Sequence, residues 1–472
     1  MQNSKTEIVL NKDQQMIFDN FKKNEDEDII YSLEGKAGTG KSTLTSELIK
    51  YLYNREQIIA CIAPTHQALK VLKQMVTKAV GNSWKNNGRI KFATVHSYLG
   101  LTLQIDDNGN EVFGKSSFNK YNARIECDYL FCDESSMVPN DLSLKIRKSL
   151  TSDDKPQIRK QLIYVGDPYQ LKPVQGDFNF VLNPELKKTV GFSVQHRYLH
   201  TIVRQAEGSS IINLAHKITE MIDDNSLFQE EEFFEMLYHL EKGDEDKIVI
   251  NDAGQFMEAY FSSEEESENK IVGCYTNNLV QQYNRYIRWT ELLPDFPDET
   301  IPQITSDDRL VFLHPYERNQ TIVANNGDTC RIDKVQDKSS TVQNVHLHYY
   351  HCSAHLEDGI EDDKPTRITL NILKDESQAA FQKKCQELSR DAQNAQGRNK
   401  SFLWKKFFSF KNKYASTRSI FANTNHKLQG STFNEVYLNT QEYRKYIKRD
   451  LDNILRLIYV AITRGRKITL LK

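Results

Sequence analysis

Gly35-Lys-Ala-Gly-Thr-Gly-Lys-Ser42 follows directly on the apolar run Asp28-Ile-Ile-Tyr-Ser-Leu33, and no other stretch restricts the fold so tightly. A glycine-rich turn that joins a strand to a helix turns its backbone N–H groups toward an anion. Gly35, Gly38 and Gly40 allow that turn. Thr39, Lys41, Ser42 and Thr43 complete a cradle in which the lysine reaches the outer phosphates of a nucleotide and the serine hydroxyl offers a Mg²⁺ ligand at the start of a helix over 43–54. The fold this demands is a parallel sheet with helices on both faces.

The surrounding pattern agrees. From residue 10 to about 180, short apolar strands (29–33, 58–63, 129–132 and 162–165) alternate with amphipathic helices, and each strand ends in a polar loop, where open α/β sheets place their ligands. Residues 99–118 interrupt this order with alternating apolar and polar residues around Asp107-Asn-Gly109, a β-hairpin signal. A second α/β stretch begins near Pro184. After Pro294 short strands over 309–313, 329–335, 344–350 and 367–372 suggest a small β-barrel, followed by a charged helical segment over 375–413 and a return to strand character at Ser419.

Composition narrows the partners. The 472 residues exceed one core, and 62 Lys+Arg against 64 Asp+Glu exclude a uniformly basic nucleic-acid coat while permitting a basic channel. The seven cysteines have no disulfide-framework or zinc spacing, and no apolar run reaches membrane-spanning length. A soluble cytoplasmic protein with reduced thiols is the expectation.

Two further motifs carry chemistry. Tyr129-Leu-Phe-Cys-Asp-Glu134 delivers adjacent carboxylates at the end of a strand, suited to holding Mg²⁺ through water (Asp133) and aiming an attacking water (Glu134). Ile163-Tyr-Val-Gly-Asp-Pro-Tyr-Gln170 presents Asp167 and Gln170 on a turn, where the glutamine amide can report the state of a γ-phosphate.

In order along the chain these are joined by Ala63-Pro-Thr-His66, Thr94-Val-His-Ser97, Asn423-Thr-Asn-His-Lys-Leu-Gln-Gly-Ser-Thr432 and Leu457-Ile-Tyr-Val-Ala-Ile-Thr-Arg-Gly-Arg466. The ordered set resembles superfamily-one helicases, in particular the RecD-like 5′-to-3′ branch and its Dda group from tailed bacteriophages. The resemblance implies two RecA-like domains, 1–183 and 184–295 with 417–472, and an SH3-like barrel with helical extension inserted over 296–416. The hairpin insert corresponds to a strand-separating pin.

The same resemblance assigns residues. Gln14 matches an adenine-reading glutamine, and Gly430 joins the nucleotide-binding set. Arg204 and Arg464 match arginines presented to the γ-phosphate, with Arg466 left as a helix or surface cation. Pro64, Thr65, His66, Thr94 and His96 match DNA-contacting loops of the first domain. Thr276, Asn277, His426, Lys427, Ser431 and Thr432, with Gln429, match contacting and coupling positions of the second. Phe113 is either a wedge against the last base pair or a packed hairpin residue, and Trp404, Phe407 and Phe408 either meet the pin or form a local core.

The implied activity is ATP- and Mg²⁺-dependent translocation on single-stranded DNA with duplex unwinding at single-strand/double-strand junctions. Phage replication or recombination is its setting, in a host bacterial cytoplasm. A monomer is expected, with single-strand binding or replication proteins as further partners and no membrane. Two other readings stay open: a translocase that displaces proteins or acts on RNA, and a nucleotide-switched assembly factor.

Overall fold

A computed structural model describes residues 9–25, 29–105, 111–115, 125–149, 158–173, 178, 181–182, 194–201, 209–240, 244–292, 301–318, 321–361 and 364–472. The chain divides into two units, one of residues 1–100, 118–275 and 424–472, the other of residues 101–117 and 276–423. Among the described residues no helix is long and apolar enough to cross a membrane, and the seven cysteines form no disulfide.

The first unit contains both parallel sheets expected of a two-RecA architecture. In the first, the order is Ile90–Thr94, Ile59–Ala63, Cys127–Cys132, Ile158–Gly166, Ile29–Gly35, Val194–Leu199. Its strands pair in parallel throughout. The strand carrying the glycine-rich loop is therefore flanked by the strand ending at Gly166 on one side and by Val194–Leu199 on the other. That last strand extends the first sheet beyond the boundary expected at residue 183. Ile59, Cys61, Leu72, Tyr129, Phe131 and Leu44 form the core on one face of this sheet. The continuously buried strand Ile59–Ala63 is what a parallel sheet covered on both faces requires.

Four parallel strands of the second sheet run in the order Lys270–Cys274, Phe433–Asn439, Gly465–Leu471, Lys247–Ile250. The helix Leu451–Ile462 is apolar nearly all round and buried from Ile454 to Ile462, the pattern of a helix enclosed within a core. Its side chains join Ile218, Phe233, Leu428 and Leu470 in one apolar cluster.

In the second unit an antiparallel sheet runs Lys364–Leu373, Val345–Glu361, Thr329–Val342, Arg309–Phe312, Thr417–Ser419, with the ribbon Tyr316–Arg318/Thr321–Ala324 beside it. Leu310, Phe312, Ile332, Cys352 and Leu370 fill its interior. Two strands are much longer than the sequence pattern suggests, because Val342 pairs with Val345 across Gln343 and Asn344. Both turn residues have positive φ, 51° and 64°, the two-residue hairpin turn whose twist suits the strands.

The far end of this long ribbon supports the helical extension. Leu347 and Leu373 pack with Leu388, Phe410 and Tyr414 of the segment containing helices Asp375–Asn394 and Gly397–Lys411. Trp404, Phe407 and Phe408 contact one another edge-on or tilted, with centroids 4.8–6.1 Å apart, within this extension. The interrupting hairpin is present as Leu101–Ile105 paired with Glu111–Lys115, and it groups with this unit. Phe113 pairs with Leu103, two positions from the Ile105/Glu111 pair nearest the turn, and is 53% exposed.

Candidate active site and nucleic-acid interface

The glycine-rich loop leaves the strand Ile29–Gly35 and enters the helix Lys41–Asn54. Gly38 and Gly40 both take φ of 81°, a left-handed conformation that side-chain-bearing residues rarely hold. Thr39 is buried and its hydroxyl donates to the Lys36 carbonyl at 2.9 Å. Ser42 is exposed in the first turn of the helix. The Lys41 ammonium donates to the Gly35 and Lys36 carbonyls at 2.5 and 3.0 Å, and lies 3.8 Å from Asp167. Burial pulls its pKa down, opposed by the carboxylates of Asp167, Glu134 and Asp133.

Gln14 is drawn into the same loop. It closes a capping box with Asn11 at the start of the helix Lys12–Lys23, accepting from the Asn11 N–H at 3.0 Å, and its amide nitrogen donates to the Gly40 carbonyl at 3.2 Å. A capping box satisfies two orphan donors of a helix end, so this glutamine fixes the entry helix against the phosphate loop. That double duty lay outside the sequence reading, although the Asn-x-x-Gln spacing carried the signal.

Asp133 and Glu134 follow the strand Cys127–Cys132. Glu134 sits in the left-handed region at φ 48°, and its N–H donates to Asp133 at 2.9 Å. Strain of this kind persists where surrounding structure over-determines it. Burial, then the Glu134 charge beside it, push the Asp133 carboxyl up to about 7, an arrangement that a bound cation would relieve.

Gly166 brings the next loop close. A Cβ there would stand 2.3 Å from the Ser135 hydroxyl, so only glycine lets the two strand ends approach. Gly166→Ala is expected to destabilise the protein by about 1–3 kcal/mol and to lower ATP turnover, checked by thermal unfolding beside a phosphate-release assay.

Beyond Gly166, Gln170 is the meeting point. With its nitrogen donating to Glu134 Oε2 at 3.0 Å, its oxygen accepts from Arg464 Nη2 at 2.9 Å. Turned over, its oxygen accepts from Gln429 Nε2 at 3.0 Å. Glu134 and Gln170 belong to the first sheet's loops, Gln429 and Arg464 to the second's. Arg464 is 8% exposed, and among the described residues its buried Nε has no hydrogen-bond partner. Arg466 is exposed, and Arg204 lies outside the described residues.

Contacts absent from the sequence reading tie the second sheet's elements to these loops. Arg456 donates to the Pro168 and Gln170 carbonyls at 2.6 and 3.1 Å. The Tyr459 hydroxyl donates to Asp167 at 2.9 Å and accepts from the Ala37 N–H at 2.8 Å. Lys36 donates to Thr219 at 2.7 Å and lies 3.3 Å from His216 Nδ1. A wholly buried tyrosine demands a partner for its hydroxyl. In the sequence this signal is masked by the apolar run around Tyr459.

The nucleic-acid candidates share a local design, a threonine after a strand capping the next helix. Thr65 accepts from the Ala68 N–H at 3.1 Å, Thr94 from Ser97 at 3.2 Å and Thr276 from Leu279 at 3.3 Å. Each cap satisfies one of the helix's free N–H groups and orients the residue that follows. Pro64 is half-buried and His66 exposed, as are Asn277, His426, Lys427 and Thr432, while His96 and Ser431 are half-buried. Burial lowers the pKa of half-buried His96, which favours a neutral imidazole there. Gly430, at φ 81°, would place a Cβ 3.7 Å from the Ala68 side chain. The 426–432 loop therefore lies against the start of the helix that carries His66. Thr276 and Asn277 fall in the second unit. Among the described residues no group of three or more His, Cys, Asp or Glu is arranged to hold a metal ion.

Residues 23–176 match the AAA domain family, and residues 314–419 match the Dda helicase SH3 domain family. The ATP-dependent DNA helicase dda of Enterobacteria phage T4 is 24% identical over 456 residues, covering 92% of each chain. An uncharacterized protein of Acanthamoeba polyphaga mimivirus is 32% identical over 179 residues, 37% of this chain and 34% of that protein. Among solved structures, a Pif1 helicase from Candida albicans aligns over 99% of this chain and 95% of its own, with TM-score 0.49 and 16% identity.

Proposed function

We infer that this chain is a superfamily-one 5′-to-3′ DNA helicase of the Dda kind, an ATP-driven motor that moves along single-stranded DNA and opens the duplex ahead. The observation that carries the reading is the hydrogen-bonded line Glu134–Gln170–Arg464. It joins a carboxylate beside the phosphate loop to a guanidinium supplied by the opposite sheet. Such an arrangement makes hydrolysis depend on how the two sheets' loops meet, which is what a motor needs.

The roles follow from the chemistry of each group. Gly35, Gly38, Thr39, Gly40, Lys41, Ser42 and Thr43 hold the polyphosphate, Lys41 exchanging its backbone carbonyl partners for phosphate oxygens. Gln14 fixes the loop and lies beside it for adenine. Ser42 and Asp133 are the residues that would hold Mg²⁺, which when bound neutralises charge on the transferred phosphoryl group. Glu134 takes the proton of the attacking water, and Gln170 holds Glu134 and Arg464 in line. Arg464, with Arg204 as its proposed companion, stabilises the charge that develops on the phosphoryl oxygens.

The loops at 64–66, 94–96, 276–277 and 426–432 grip the DNA backbone by hydroxyl, amide and imidazole contacts. Binding of that kind is salt-dependent and nearly indifferent to sequence. Phe113 on the hairpin is the proposed wedge. The reading extends to a monomer acting at single-strand/double-strand junctions in a bacterial cytoplasm, beside single-strand binding or replication proteins.

The test is strand displacement on matched partial duplexes with either a 5′ or a 3′ single-stranded tail, in ATP and Mg²⁺ with a trap for free strands. Unwinding confined to the 5′-tailed substrate is expected. Unwinding confined to the 3′ tail would reverse the assigned polarity, and none on either would remove the helicase reading.

A further inference from the structure

The helix Leu451–Ile462 leads within two residues to Arg464, and it also bears a hydroxyl that touches two parts of the nucleotide site at once. Tyr459 has 0% exposure. Its oxygen accepts the Ala37 N–H inside the glycine-rich loop and donates to Oδ2 of Asp167. The same carboxylate oxygen lies 3.8 Å from the Lys41 ammonium, and Oδ1 accepts the Tyr169 N–H at 3.0 Å. One hydroxyl thus links the phosphate loop, the carboxylate that faces Lys41 and the helix leading to Arg464.

The other end of the connection reaches the nucleic-acid loops. Leu428, within the 426–432 loop, packs in one apolar cluster with Leu455, Ile458 and Tyr459. Close-packed interiors transmit displacement instead of absorbing it. Through this packing a shift of that loop would be carried to the Tyr459 hydroxyl, and so to Ala37, Asp167 and Lys41.

We propose that Tyr459 is the positioning residue through which single-stranded DNA sets the rate of ATP hydrolysis, acting on Lys41 by way of Asp167 and on the phosphate loop by way of Ala37. Tyr459 acts through its two hydrogen bonds, to the Ala37 N–H in the glycine-rich loop and to the carboxylate that faces Lys41. The inference rests on the helicase reading above and adds to it the path by which DNA stimulation arrives.

Tyr459→Phe removes both hydrogen bonds and keeps the ring, whose centroid lies 6.3 Å from that of Tyr169. The full chain is assayed for ATP turnover over a range of ATP concentrations, with and without oligo-dT. The readout is the ratio of stimulated to unstimulated kcat, which does not depend on the fraction of active protein. A fall in that ratio of about tenfold, equivalent to about 1.4 kcal/mol, is expected, with KM for ATP within about threefold of the parent. Tyr459→Leu, which also removes the ring, should lower the ratio equally if the hydroxyl is responsible. A ratio within twofold of the parent in Tyr459→Phe overturns the proposal, as does a proportional loss of both rates, the mark of a merely structural role. If the parent itself shows no stimulation, the helicase reading fails first and this inference falls with it.

Discussion

Glu134→Gln is expected to lower DNA-stimulated ATP turnover by roughly 10²- to 10⁴-fold, the contribution of a positioned general base, while leaving single-strand affinity within about threefold. The substitution is nearly isosteric, so the left-handed backbone at φ 48° and the Asp133 hydrogen bond from its N–H are retained. What is lost is the capacity to take a proton from water. The glutamine amide also presents a donor as well as an acceptor, which disturbs the bond from Gln170 at 3.0 Å. Phosphate release at saturating ATP and oligo-dT gives the turnover, and fluorescence anisotropy of labelled oligo-dT without ATP gives the affinity. Near-normal turnover in Glu134→Gln would mean that another group activates the water. A parallel collapse of DNA binding would mean that Glu134 supports the fold more than the chemistry.

The parts of this site that were legible in the sequence are those where chemistry dictates residue type and spacing. A polyphosphate demands glycines at fixed intervals before Lys41 and Ser42, and a parallel strand delivers Asp133 and Glu134 at its carboxyl end whatever the rest of the sheet does. The strand expected at 129–132 is Cys127–Cys132, and that expected at 162–165 lies within Ile158–Gly166, which starts four residues earlier.

Where packing or long-range pairing decides, the sequence is less informative. Val194–Leu199 has a polar pattern, Gln-His-Arg-Tyr between two aliphatic ends. It lies at a sheet edge, where one side needs no strand partner, so its periodicity carries little signal. The ribbon Thr329–Glu361 is largely exposed along one strand, and its turn uses Gln343 and Asn344 without glycine, which hides its length. Arg456 and Tyr459 were invisible for a different reason. They sit in an apolar helix, and their partners are Pro168, Gln170, Asp167 and Ala37, nearly 300 or more residues away in the chain. Gln14 was recognised by its match to an adenine-reading glutamine, but its capping bond to Asn11 depends on the helix beginning at Lys12, and helix ends are the boundaries a sequence fixes least.

Arg464→Lys should cost more than Glu134→Gln, roughly 10³- to 10⁵-fold in ATP turnover, as for guanidinium groups that neutralise a phosphoryl transition state. Charge is conserved by the substitution, so the loss isolates geometry. Arg464 uses one terminal nitrogen on Gln170 at 2.9 Å and another on the Ser431 carbonyl at 3.5 Å. Among the described residues its Nε has no hydrogen-bond partner. A buried N–H left in that condition is costly unless something meets it during function, and on the role proposed for Arg464 a transferred phosphoryl oxygen is that acceptor. Lysine offers one compact ammonium on a flexible stem, so it cannot serve Gln170, Ser431 and a phosphate together.

The loss should therefore appear in the single-turnover hydrolysis rate, with ATP affinity, measured by a fluorescent nucleotide analogue, changed less than about fivefold. Arg464→Ala should be no better than Arg464→Lys. If lysine restored turnover to within tenfold of the parent, simple charge would suffice and the fork geometry at Gln170 would have no catalytic part. If ATP affinity fell together with the rate, Arg464 would be a ground-state binding group, and the difference between ground and transition state would have to come from another cation of the second sheet's loops.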